Sequence, residues 1–175
     1  MSIEALKKKF TDIYNQESDA IFRFCLIRVS DREKALDLTQ ETFVRLWNHM
    51  TSKKEITNQK AFLFTIARNL VIDWYKKTKS ISLESLEDEE GNPLEVADEN
   101  SFKQIEFDAE VKRAFLLINN LPPQYREVVY LRFVEDFTPS EIAEILGLSS
   151  NAVSIRLTRG VEALRKLLGI KDQND

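Results

Sequence analysis

"TPSEIAEILGLSSNAVSIRLTRG", Thr138 to Gly160, contains two helix starts and a helix stop in quick succession. Thr138-Pro139-Ser140-Glu141 is a capping box with proline at the first helical position. In such a box the threonine hydroxyl takes the N3 amide and the glutamate reaches back to the cap. Gly147 lacks a Cβ and fits the left-handed position that ends a helix. Ser149 then caps a second helix, predicted to run to about Leu168. A helix, a short glycine turn and a helix are the parts of a helix-turn-helix. Ala143 is small where the two helices must approach, and Ile142, Ile145, Leu146, Leu148 and Val153 fill the angle between them.

The second of these helices has two faces. At about 100° per residue, Val153, Leu157, Val161, Leu164 and Leu168 form one apolar stripe. Ile155 falls on the opposite side, among Asn151, Ser154, Thr158 and Arg159. A helix that enters the major groove uses such a face. Asn and Arg bond base edges there, and an apolar side chain meets a thymine methyl. Arg156 lies towards the side, where it suits phosphate. The plainer alternative is a single exposed apolar residue, which is common, or one packed on a neighbouring helix.

Composition narrows the rest. The 175 residues are 43% apolar and 31% charged, with only 4 Gly and 4 Pro. That suits one or two small soluble domains and argues against a glycine-rich phosphate loop or a many-turned β-protein. One cysteine, Cys25, excludes an internal disulfide, and with one histidine, His49, it cannot build a Cys/His zinc site. Cys25 stands among Phe22, Phe24 and Leu26 and reads as a buried, inert thiol. No cofactor is expected. No apolar run is long enough for a membrane span and no secretory leader is recognisable, so a cytoplasmic protein without membrane insertion is expected. The net charge is −4, yet eleven acidic residues and one basic residue, Lys103, lie between Glu84 and Glu110. The two flanking blocks are therefore mildly basic, a weak pointer to nucleic acid.

The flanking blocks read as helical. Residues 2–28 repeat apolar positions at helical spacing, with a break expected near Asn15 to Ser18. Ser30-Asp31-Arg32-Glu33 reads as another capping box, opening a helix to about Met50. On it Leu36, Phe43, Leu46, Trp47 and Met50 share a predicted core face, while Leu38, Glu41 and Arg45 point away. A polar loop, 51–58, precedes a helix from Gln59 to Thr78 with Leu63, Ile66, Ala67, Leu70 and Trp74 as its stripe. Residues 79–105 form an acidic linker with Gly91 and Pro93. Further helices are predicted over 106–119 and 123–134. The fold class is all-α: two small helical domains, 1–78 and 106–175, joined by a flexible acidic linker, the second holding the helix-turn-helix.

Three stretches together carry a family resemblance. "LPPQYREVVYLRFVEDFTPSEIAEILGLSSNAVSIRLTRGVEALRKLL" (121–168) resembles the C-terminal DNA-binding domain of bacterial RNA polymerase sigma factors of the extracytoplasmic-function (ECF) group. "DLTQETFVRLW" (37–47) and "AFLFTIARNLVIDWYKK" (61–77) resemble the central helices of the N-terminal sigma domain. Each motif alone is moderately specific. The set, in order around a variable linker, is highly specific and covers most of the chain.

The resemblance implies a transcription initiation factor, not an enzyme, with core RNA polymerase and promoter DNA as partners. By match, Asp37, Leu38, Gln40 and Glu41 contact core polymerase. Arg68, Asn69, Asp73, Lys76 and Lys77 hold the minus-10 element, with Asp73 supporting Asn69 or a basic neighbour. Lys53, Lys54 and Asn58 lie in the loop matching one that captures an extruded base; ordinary loop duty is the alternative. Trp74 and Tyr75 are possible stacking aromatics, with burial favoured for Trp74. Asn151, Ser154, Ile155, Arg156, Thr158 and Arg159 read the minus-35 element. Ser154 stands where many relatives carry a basic residue. Gly160 replaces a usual helix former, at a cost of roughly 1 kcal/mol, and is expected to let the helix lie closer to the DNA backbone. The elements lie about one and a half turns apart, roughly 50 Å at ~34 Å per turn. A linker of about 27 residues has an r.m.s. span near 30 Å and extends further. An anti-sigma partner is implied, and a monomer when free. The alternative is a dimeric helix-turn-helix regulator, although residues 1–78 resemble neither a receiver domain nor a long heptad coil.

Overall fold

A computed structural model describes residues 2–52, 55–81 (side chains to Thr78) and 107–170. The described residues form seven helices and no strand: α1 (Ile3–Val29), α2 (Arg32–Thr51), α3 (Gln59–Ile81), α4 (Ala109–Asn119), α5 (Pro123–Phe133), α6 (Pro139–Leu146) and α7 (Ser150–Leu167). The all-α expectation holds. The chain divides into two compact units, Met1–Pro93 and Leu94–Asp175. Most of the predicted acidic linker, with Lys53 and Lys54, lies outside the described residues.

In the first unit α1, α2 and α3 pack pairwise into a three-helix bundle. Ile21, Phe24, Leu26, Leu46, Leu63 and Phe64 are sealed at its centre, and the Phe24 and Phe64 rings meet edge to face with centroids 5.1 Å apart. Cys25 is buried, and desolvation pushes its thiol up to about 12. The inert-thiol expectation therefore holds.

Two local expectations fail here. The α1 helix is continuous, without a break at Asn15–Ser18. Those residues include no Gly or Pro, and Ile13 and Ile21 carry the buried face across them. Ser30 is not a helix N-cap: it ends α1 in the left-handed region at φ 53, its N–H donating to the Leu26 carbonyl. Asp31 caps α2 instead, its Oδ1 accepting from the Lys34 N–H at 3.0 Å. A two-residue link between helices needs one residue to stop the first and one to start the second, and Ser30 cannot do both.

In the second unit α5 packs on α7, and α6 crosses both. The Thr138 box forms: Thr138 Oγ1 accepts from the Glu141 N–H at 3.3 Å, and the Thr138 N–H donates to Glu141 Oε2 at 2.7 Å. Gly147 adopts φ 65, and Ser149 Oγ accepts from the Ala152 N–H at 3.1 Å. The turn before the box is also tied down. Tyr130 donates its phenol proton to Glu135 Oε1 at 2.7 Å, and Arg132 donates to the Phe137 carbonyl at 3.0 Å.

Gly160 corrects another expectation. It is buried towards α5, where an added Cβ would stand 2.7 Å from Val129 Cγ2 and 3.3 Å from Tyr125 Cβ. It brings two helices together and is turned away from the exposed face around Ile155. Gly160→Ala gains helix propensity of about 1 kcal/mol but overpacks by ~1–3 kcal/mol. The expected net effect is a lower melting temperature in thermal unfolding of the full chain, despite the better helix former.

Candidate functional site

Three exposed helix faces carry most of the sequence-predicted site residues. The first is on α7. Val153 is completely buried, which fixes the rotation of the helix, and Ile155 is 43% exposed. Asn151, Ser154, Thr158 and Arg159 are exposed around it, and Arg156 is half-buried at the flank. The residues expected on one face are on one face. Thr158 Oγ1 donates to the Ser154 carbonyl at 3.0 Å, so its hydroxyl is turned back into the helix. The apolar stripe is less sealed than expected: Leu157, Val161 and Leu164 are half-buried, and Leu168 is exposed past the helix end.

The second face is on α3. Asn69, Asp73, Lys76 and Lys77 are exposed within about two and a half turns, with Arg68 half-buried beside them. Leu63, Ile66, Ala67 and Leu70 are buried on the other side, as the stripe predicts. Trp74 and Tyr75 are half-buried, ring centroids 4.9 Å apart, and the Tyr75 hydroxyl donates to the Arg28 carbonyl. Tyr75 thereby ties the late turns of α3 to the end of α1. Asn58 acts locally as a helix cap. Its Oδ1 accepts from the Ala61 N–H at 3.0 Å, at the start of α3.

The third face is on α2, and here the structure exchanges two leucines relative to the hydropathy pattern. Leu38 is buried at 6% exposure, whereas Leu36 is 42% exposed. The inward side consists of Ala35, Leu38, Thr39, Thr42, Phe43 and Leu46. Thr39 and Thr42 escape detection because they count as polar. Their hydroxyls donate to the Ala35 and Leu38 carbonyls, each at 2.7 Å, which satisfies them in the core. Leu38 therefore cannot lie on the outer surface with Asp37, Gln40 and Glu41, which are exposed. The outer face gains two apolar residues that the pattern does not place there, Leu36 and Val44, the latter 52% exposed. Glu41 pairs with Arg45 at 2.9 Å on this surface.

A further residue missed from sequence is Arg28, 1% exposed. Its guanidinium lies 3.5 Å from the Phe24 ring centroid, and Nη1 donates to the Phe24 carbonyl at 3.2 Å. The available signal is its place in the last turn of α1, one turn after an aromatic residue, where a cation also suits the helix dipole.

Comparison with known proteins fits this arrangement. The Sigma-70 region 2 family matches residues 13–81, and the Sigma-70, region 4 family matches residues 113–164. The chain is 31% identical to the ECF RNA polymerase sigma factor SigW of Bacillus subtilis, over 91% of this chain and 88% of SigW. It is 32% identical to the ECF RNA polymerase sigma factor BldN of Streptomyces coelicolor, covering 91% of this chain but only 60% of that relative's length. The fold resembles that of the sigma factor RpoE, solved in complex with the anti-sigma factor NepR from Bartonella quintana. That match has a TM-score of 0.64 and 23% identity, and covers 94% of this chain and 99% of that one.

Two helical units with a sigma region 2 and a sigma region 4 define an RNA polymerase sigma factor, which directs promoter recognition and transcription initiation. The chain belongs to the ECF group of these factors. The dimeric-regulator alternative is not favoured. Among the described residues, no helix is long and apolar enough to cross a membrane.

The exchange of the two leucines makes a prediction. Leu38→Ala should lower stability by about 2–4 kcal/mol, the usual cost of an emptied leucine site. Leu36→Ala should stay within about 0.5 kcal/mol of wild type, as exposed substitutions do. Urea unfolding of both variants measures the difference.

Proposed function

We propose that the three faces divide promoter recognition between them. The outer face of α2, with Asp37, Gln40, Glu41, Leu36 and Val44, docks on core polymerase. The α3 strip of Arg68, Asn69, Lys76 and Lys77 holds the minus-10 element, its cations neutralising phosphates; Asp73 supports it. The α7 face, with Asn151, Ser154, Ile155, Thr158 and Arg159, reads the minus-35 element from the major groove, and Arg156 anchors on phosphate. The domain split follows the same division: residues 1–78 for polymerase and minus-10, and 106–175 for minus-35.

One observation carries this reading: the α7 surface opposite buried Val153 combines exposed base-reading and phosphate-binding residue types around Ile155. The chain acts without catalytic chemistry of its own, in the cytoplasm with the polymerase. An inhibitory protein partner, of the kind crystallised with RpoE, belongs to the same proposal.

Two variants separate the faces. Arg159→Ala should reduce promoter-specific transcription roughly tenfold, within the ~1–3 kcal/mol of a good base contact, while core polymerase is still bound. Val44→Asp should weaken polymerase binding without lowering the melting temperature. In vitro transcription with a polymerase pull-down reads both. Equal loss of both activities in Arg159→Ala would refute the assignment of α7.

A further inference from the structure

We infer that α7 recognises thymine by its 5-methyl group, through a two-residue apolar patch made of Ile155 and the γ-methyl of Thr158. This rests on the reading of α7 as the minus-35 helix and names the chemistry that the helix reads there.

Ile155 is 43% exposed, on a helix whose inward side is already filled by Val153. Thr158 is exposed three residues on. Its hydroxyl donates to the Ser154 carbonyl at 3.0 Å, so its proton is engaged within the helix. Threonine at a helical position has this option because Oγ1 reaches the carbonyl one turn back. With the hydroxyl engaged there, the γ-methyl is the group this exposed side chain has left for an apolar contact. Threonine here acts as an aliphatic residue, and its neighbour at i−3 is isoleucine.

Residues three apart on a helix have Cβ atoms about 5–6 Å apart, so Ile155 and Thr158 form one small surface. The thymine methyl is the apolar group that base pairs display in the major groove. Successive base pairs rise ~3.4 Å, so the two side chains can meet methyls on neighbouring steps. The surroundings suit a nucleic-acid occupant. From Ser150 to Gly160 the helix carries Arg156 and Arg159 and no carboxylate. Asn151 and Ser154 border the patch with groups able to bond the adjoining base edges.

The test uses holoenzyme assembled from the full chain and core polymerase. The strongest promoter from a randomised library is resynthesised with deoxyuridine in place of each upstream-element thymine, which removes only the methyl. Affinity should fall about fourfold per contacted methyl, as for one buried CH₂. Thr158→Val keeps the methyl and should keep the uracil penalty; Thr158→Ser lacks it and should lose the penalty at one thymine. Ile155→Ser should lose the penalty at the neighbouring one. An upstream element whose affinity is indifferent to every uracil, or one that contains no thymine, overturns the methyl reading while leaving DNA recognition by α7 standing. A library that returns no upstream element overturns both.

Discussion

The contact between Gly160 and α5 decides what the last helix shows to solvent. A Cβ at that position would meet Val129 Cγ2 at 2.7 Å, so the backbone of α7 lies closer to α5 than any other residue would permit. Once that approach is made, Val153 is fully buried and Ile155 must face out. The neighbouring turn sets the other coordinate. Gly147 at φ 65 stops α6, and the Leu148 N–H closes on the Ala143 carbonyl at 3.0 Å. Ser149 then starts α7 with its own side chain. Direction comes from the turn and rotation from the glycine, and the exposed face around Ile155 follows from both. The roughly 1 kcal/mol that glycine costs in a helix interior is offset by this close packing.

The first unit is equally sparing at its turns. Ser30 closes α1 and Asp31 opens α2 with no residue between them. The Tyr75 hydroxyl bonds the Arg28 carbonyl, so the far end of α3 is fixed to the end of α1. Arg28 is buried over Phe24 at the same place. The α3 strip from Asn69 to Lys77 therefore stands on a framed helix. Precision on such a surface comes from the supporting contacts beneath it.

Much of this is legible in the sequence, and each failure has a physical cause. The Thr138 box, Gly147 and the Ser149 cap are readable because each requires a particular residue type at a particular offset. The α7 face is readable because its apolar and polar sides differ sharply. On α2 that contrast fails: two buried threonines look polar, Leu36 reads as core but is exposed, and Leu38 reads as outward but is buried. Hydroxyls that bond their own helix are invisible to a hydropathy pattern. Gly160 stands out in the sequence but points the wrong way there, because a glycine signals a close approach without saying to what. The buried Arg28 leaves only a weak i−4 aromatic signal.

Leu36, Val44 and Ile155 are each exposed, and each stands among polar residues in a small patch. Patches of that size do not force association of the free protein. Nor does any one of them supply much affinity: a few buried methyl groups stabilise a contact by only a few kcal/mol, less the cost of bringing two bodies together. On the proposed division, α2 and α7 belong to different units of one chain. Docking of the first raises the effective concentration of the second at its own target. Weak, selective faces are then an advantage. On that division neither unit need hold DNA tightly by itself, because the assembled polymerase would gain both contacts together. Strengthening the α7 face with additional cations would raise non-specific binding faster than it raised discrimination. An isoleucine and a back-bonded threonine among few charges are better suited to that balance.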